Sequence, residues 1–284
     1  MKISMKISRN SRRHPFSRIA PLLAAGLLAG CARPAPQADT LSPTALNVAD
    51  AAIAGNDPQM ALKISQSLLA QNPGDLQALY HEGAAYYALD RCEDAIAAYR
   101  LALRIAPKSS MAETGIGRCL LRRNAIEAEQ AFATAVADDP GNAAAQNDLG
   151  IARALRGDLN GAVPPLQQAL MLAPGTASAE VNLGLVLALN GDAADALQYL
   201  GPLAATPEAT PRIRADYALA LVGNGQMDQA RQVLSTDLPP AQVQKALAQY
   251  QGLTRPVAQA ENTPADDTAG AHFAALEPAN GLPH

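Results

Sequence analysis

Three cysteines and four histidines are the side chains of this 284-residue chain best suited to nucleophilic, acid–base or metal chemistry. They do not cluster. His14 lies near the start, His272 and His284 near the end, and only His81 stands in the middle. A single histidine on a helix is far more often a surface or groove residue than a base or a ligand, and no Cys/His set has metal-site spacing. The chain has no GxSxG elbow, no HExxH and no phosphate-binding glycine loop. Catalytic residues, a metal and a cofactor are therefore not expected. Cys31 differs from the other candidates. It directly follows Leu28, Ala29 and Gly30, at the end of an Ala/Leu run.

Elements upstream explain that placement. Lys2, Lys6, Arg9, Arg12, Arg13 and Arg18 precede an apolar segment from Ile19 to Leu28, the layout of a secretory signal peptide. That segment is about half the ~20 residues a spanning helix needs. Leu28-Ala29-Gly30-Cys31 resembles the bacterial lipobox, which implies cleavage before Cys31, a diacylglycerol on its thiol and a third acyl chain on the new amine. At roughly 0.8 kcal/mol per buried methylene, three chains make a stable anchor where one does not. Ala32, in place of the inner-membrane retention aspartate, implies sorting to the periplasmic face of the outer membrane. The first 30 residues carry six of the 22 basic residues and none of the 26 acidic ones, so the mature chain has a formal charge of −10. Such an excess disfavours nucleic acid and anionic membrane surfaces as partners.

Self-similarity sets the fold expectation. From Leu76, the residues Gly83, Tyr86, Ala95, Tyr99, Ala102 and Pro107 fall at positions 8, 11, 20, 24, 27 and 32 of a 34-residue unit. This pattern resembles the tetratricopeptide signature. Prolines recur at 73, 107, 140 and 174, and small residues at Gly83, Gly117, Gly150, Gly184 and Ala218, each series with one spacing of 33. One residue is thus missing, either between Pro107 and Gly117 or in a tight turn near Arg123. Second helices carry Ala95/Tyr99/Ala102, Ala128/Phe132/Ala135, Ala162/Leu166/Ala169 and Ala196/Leu200/Leu203 on one face. The expected fold is all-α: a solenoid of six helix pairs over 42–252, with units 42–75, 76–109, 110–142, 143–176, 177–210 and 211–244. A capping helix over 239–252, with Val243, Leu247 and Tyr250 on one face, covers the open end. Residues 1–30 read as signal peptide, 31–41 as the lipidated cysteine and a tether, and 253–284 as a disordered tail.

In tetratricopeptide families the concave groove is lined by positions 2, 5, 6, 9, 12 and 13 of each first helix. Those positions here select Tyr80, His81, Tyr87, Arg118, Arg122, Asn147, Asp148, Asn182, Arg212 and Asp216. The set offers a Tyr/Arg end and an Asn/Asp end to an extended peptide; for each residue taken alone, a solvated polar face is the plainer reading. Cys92 and Cys119 lie in adjacent units. They are either a disulfide or two small buried thiols, since a bridge needs Cα atoms within about 7 Å and packed helices run ~8–10 Å apart.

The second half carries a narrower likeness. "NLGLVLALNGD" (182–192), "LGPLAATPEATPRIRADYALALVGNG" (200–225) and "LSTDLPPAQVQKALAQYQGL" (234–253) resemble the TadD-type Flp pilus assembly lipoproteins of tight-adherence loci. The ATPR junction and the terminal LAxY helix set that family apart from generic tetratricopeptide arrays. The likeness spans about the last 105 folded residues, and the lipobox start is also that family's. It implies a non-enzymatic lipoprotein required for pilus assembly, acting at the outer membrane with the secretin or other Flp pilus components and taking no small-molecule substrate. It carries over no binding residues, and the tail after Leu253 departs from the family's ending. The alternative is a lipoprotein of the same fold serving another envelope machine: another pilus, a peptidoglycan synthase or β-barrel assembly.

Overall fold

The computed structural model describes residues 42–254, with side chains from residue 45 onward. Cys31, the signal peptide, the tether and the tail beyond Thr254 lie outside the described residues.

Within them the chain forms thirteen α-helices. Six antiparallel pairs follow in order: α1 (Ser42–Ala54) with α2 (Pro58–Gln71), α3 (Leu76–Ala88) with α4 (Cys92–Ile105), and α5 (Ser110–Leu121) with α6 (Ala125–Asp138). Then come α7 (Ala143–Leu155) with α8 (Leu159–Leu172), α9 (Ala177–Asn190) with α10 (Ala193–Ala204), and α11 (Pro211–Gly223) with α12 (Met227–Leu234). A last helix, α13 (Pro240–Leu253), lays Val243, Leu247 and Tyr250 on α11 and α12.

Seven of the helix starts are fixed by side-chain caps. Asp57, Asp75, Ser109, Asn124, Asn142, Asp158 and Thr210 each accept a hydrogen bond from a backbone N–H in the first turn of the helix that follows. Such caps contribute about 1 kcal/mol apiece. In the "ATPR" segment, Thr210 is the cap and Pro211 the first helical residue, where the missing N–H costs nothing.

Within five of the six pairs, the turn contains one left-handed residue: Asn56, Asp90, Gly157, Gly191 or Gly225. The third pair has none. There α5 is twelve residues long and Arg122 keeps a right-handed helical φ of −71°. The residue missing from the 34-residue period is therefore the turn residue near Arg123, and nothing is lost between Pro107 and Gly117.

The core repeats one contact. A glycine on four of the first helices faces a large side chain on its partner: Gly83 with Tyr99, Gly117 with Phe132, Gly150 with Leu166, Gly184 with Leu200. A Cβ added at these four glycines would lie 2.5–2.6 Å from the facing side chain, closer than van der Waals contact allows. Ala95, Ala102, Ala128, Ala135, Ala162 and Ala196 flank the large residues and are 0% exposed. Small residues set the helix separation, and the large one fills the remaining gap.

First helices touch one another in series, α1 to α3, α3 to α5, α5 to α7, α7 to α9 and α9 to α11, while second helices mostly meet their neighbours in sequence. The stack is tighter on the first-helix side. It therefore curves with the first helices inside, and their inward positions form the concave face.

One local exception is explained by its surroundings. Pro164 and Pro165 lie inside α8, and Pro165 has no N–H for the carbonyl of Gly161. Arg153 of α7 supplies the donor instead, Nη1 to that oxygen at 3.0 Å, and its Nε also donates to Glu129 of α6 at 3.1 Å. One guanidinium thus ties three helices across a break in the helical ladder.

Candidate peptide-binding groove

The concave-face residues selected from the sequence are not ten independent polar groups. Most of them bond to a neighbouring unit. Arg118 of α5 donates from Nε to Oδ2 of Asp148 on α7 at 2.6 Å. Asn147 donates to the other oxygen of Asp148 at 3.0 Å, and Asn182 of α9 donates to Asn147 Oδ1 at 3.0 Å. A single polar chain therefore runs across α5, α7 and α9. Burial opposes the Arg118 charge, but Asp148 outweighs it and the guanidinium pKa is raised.

At the other end Arg212 and Asp216 pair across one turn of α11 at 3.7 Å. Toward the start, the Tyr80 hydroxyl lies 2.5 Å from that of Ser109, the residue capping α5. His81 lies between two acceptors, with Nδ1 2.8 Å from the Gln77 carbonyl oxygen and Nε2 2.7 Å from Asp50 Oδ1 on α1. Arg122 donates to Asp90, the left-handed turn residue of the preceding pair. Tyr87 is half-buried beside Arg118 and Asp148, and burial raises its phenol pKa.

Burial divides the set. Tyr80, His81, Asn147, Asp148, Asn182 and Asp216 are all at most 5% exposed. Arg122 is exposed, while Tyr87, Arg118 and Arg212 are intermediate. Their partners Asp50, Ser109 and Asp90 were not among the residues selected. Each lies 29 to 32 residues from the side chain it meets, about one unit length, and that spacing is the signal by which they are recognisable. Asn142 follows the same rule, reaching Ser110 at 2.8 Å.

Between α9 and α11 the inner face opens into a cleft of about 140 Å³ lined by Ala177, Ser178, Val181, Asn182, Thr210, Arg212 and Ile213. It combines apolar walls, an amide and a guanidinium. Those groups suit an extended backbone with an apolar side chain and an acidic one. Among the described residues no group of three or more His, Cys, Asp or Glu could hold a metal ion. Cys92 and Cys119 are free thiols, so the structure contains no disulfide between them.

Asp216 titrates abnormally. Burial pushes its carboxyl up to about 7, against a smaller opposing pull from Arg212. Tyr250 of α13 faces it, and that phenol is raised as well, by burial first and by Asp216 second. A carboxyl raised in the folded state binds a proton that the unfolded chain has already lost. Its stabilising share is complete below about pH 4 and disappears as the pH climbs through about 7. We expect Asp216→Asn to stabilise the protein by about 2 kcal/mol at pH 8, and to flatten the wild-type decline between pH 4 and 7. Urea midpoints across that range test this; equal slopes for the two proteins would refute it.

The chain matches the family described as Tetratricopeptide repeat over residues 46–110 and 122–176. Solved structures extend the likeness across the later pairs. YrrB, described as a TPR protein with an unusual peptide-binding site, superposes with a TM-score of 0.54 at 18% identity, covering 65% of this chain and 96% of that one. The fold is a tetratricopeptide-repeat solenoid. PilF of Pseudomonas aeruginosa has a TM-score of 0.62 at 16% identity, covering 75% of this chain and 99% of its own. PilW, described as a widely conserved type IV pilus biogenesis factor, has a TM-score of 0.59 at 22% identity, covering 74% and 99%. No curated protein matches the chain. Tetratricopeptide solenoids are protein-interaction scaffolds whose concave face receives the partner.

Proposed function

We propose that this tetratricopeptide protein is a non-enzymatic scaffold of the Flp pilus secretion apparatus, anchored by a lipidated Cys31 to the periplasmic face of the outer membrane. Its groove holds an extended segment of the secretin or of another assembly component. The observation that carries the reading is the joint occurrence of the Leu28-Ala29-Gly30-Cys31 box and the "ATPEATPR" junction followed by the "LAQY" helix. The junction caps and starts α11, whose first turn places Arg212 on the α9/α11 cleft. The solved structures of PilF and PilW share the fold over nearly their whole length. That likeness favours one second reading, an assembly factor for a different pilus.

The amount of multimeric Flp secretin in purified outer membranes, with and without the gene, tests the proposal. The multimer should vanish in the deletion and return with wild type, but not with Cys31→Ala. An unchanged multimer would remove the secretin role. Loss of a different pilus with intact Flp secretin would establish the second reading.

A further inference from the structure

We propose that Cys92 and Cys119 are a disulfide-forming pair whose oxidation cross-links the second helix pair to the third. Cys92 is the first residue of α4, and Cys119 lies near the end of α5. The two side chains pack in one cluster, near enough for Cys92 to bear on the ionisation of Cys119. Both also line an open cleft of about 490 Å³ beside the turns at Asp90 and Arg123. Two ion pairs, Arg122 with Asp90 and Arg123 with Glu93, cross the same junction. The ordering needed to bring the sulfurs together is thus already accomplished by folding.

The two thiols are unequal, and that inequality sets the order of events. Cys92 is half-buried and borders the cleft, whereas Cys119 is 1% exposed. Burial, and then the neighbouring Cys92, push the Cys119 thiol well above the ordinary cysteine range, with Arg122 and Arg123 opposing. Cys92 is the sulfur an incoming oxidant can reach. As its thiolate it attacks a disulfide of an oxidoreductase or of oxidised glutathione. That S–S bond breaks, a mixed disulfide forms on Cys92, and the first oxidant thiol departs with the proton Cys92 gave up. Cys119 then attacks Cys92 Sγ, and the second oxidant thiol leaves with the Cys119 proton. Two protein thiols are oxidised and one oxidant disulfide is reduced. The rival is a pair of inert core thiols, common for buried cysteine. It gives no reason for the two to meet at the edge of an open cleft.

The test uses the full chain, purified reduced, incubated with oxidised glutathione, then denatured, alkylated and digested with trypsin. Arg100, Arg104 and Arg118 place the two cysteines on separate peptides, and Cys31 is mapped apart from both. The expected result is a Cys92–Cys119 cross-linked peptide and a thermal midpoint higher by about 10 °C, reversed by dithiothreitol. Cys119→Ser should stall with glutathione on Cys92, and Cys92→Ser should form no adduct at residue 119. The proposal is overturned if wild type keeps both thiols alkylatable, stops at a mixed disulfide, links either residue to Cys31, or forms the bridge with a lower midpoint.

Discussion

Phe132→Ala is expected to lower the unfolding free energy by about 3–5 kcal/mol, read as a fall in the urea midpoint. Phe132 is 0% exposed, and its ring lies directly over the backbone of Gly117. Truncation removes the one large side chain that holds α5 and α6 at their spacing. The neighbours Ala128 and Ala135 are too small to close the void. The facing position gives the complementary test. A Cβ on Gly117 would meet ring carbon Cε1 at 2.5 Å, so Gly117→Ala alone costs about 1–3 kcal/mol through overpacking, less a small gain in helix propensity. Combined with Phe132→Leu, the added methyl gains room, and the double substitution should cost less than the sum of the two singles. The sixth pair shows a related natural solution, with Ala218 and Leu234 both buried at the equivalent positions. Strict additivity would mean that the Gly/large contact does not set the helix spacing.

This contact was legible in the sequence because both halves of it are local and periodic. Glycine and its large partner are separated by 15 or 16 residues in those four units, and a helical pair with a two- or three-residue turn brings such positions face to face. The capping helix was legible for a similar reason, with Pro240 at its start and Val243, Leu247 and Tyr250 on one stripe. The concave face was harder. Positions 5 and 6 of a first helix point toward both the groove and the next first helix, and a residue's type does not say which it serves. Tyr80, His81 and Asn182 each end in a bond to a neighbouring unit. The choice is made by geometry between units: how closely α5, α7 and α9 approach, and whether a partner waits there. Cys92 and Cys119 raise the same difficulty, because spacing fixes the units they occupy but not the rotation that packs them in one cluster.

Asp148→Ala is expected to destabilise the protein by about 3–5 kcal/mol, because the substitution strands a charge as well as removing one. Asp148 is 0% exposed and accepts from Arg118 and from Asn147. Without it, the Arg118 guanidinium keeps its burial and loses its counter-ion. Asn147 in turn loses the acceptor that orients it toward Asn182, so the damage travels from α5 to α9 along one chain of hydrogen bonds. Asp148→Asn retains the shape and an acceptor oxygen and should cost less. The decisive comparison is the double variant Arg118→Met with Asp148→Leu, which removes both charges and fills the space with apolar atoms. Replacing a buried pair in this way is often close to neutral. Its stability should therefore exceed that of Asp148→Ala. If this fully apolar variant keeps its stability yet no longer binds its partner, the pair serves recognition; if binding survives, the pair is a staple between units and the groove is read through Tyr87, Arg122 and Arg212. Denaturation midpoints and a partner-binding titration on the same three variants separate these outcomes.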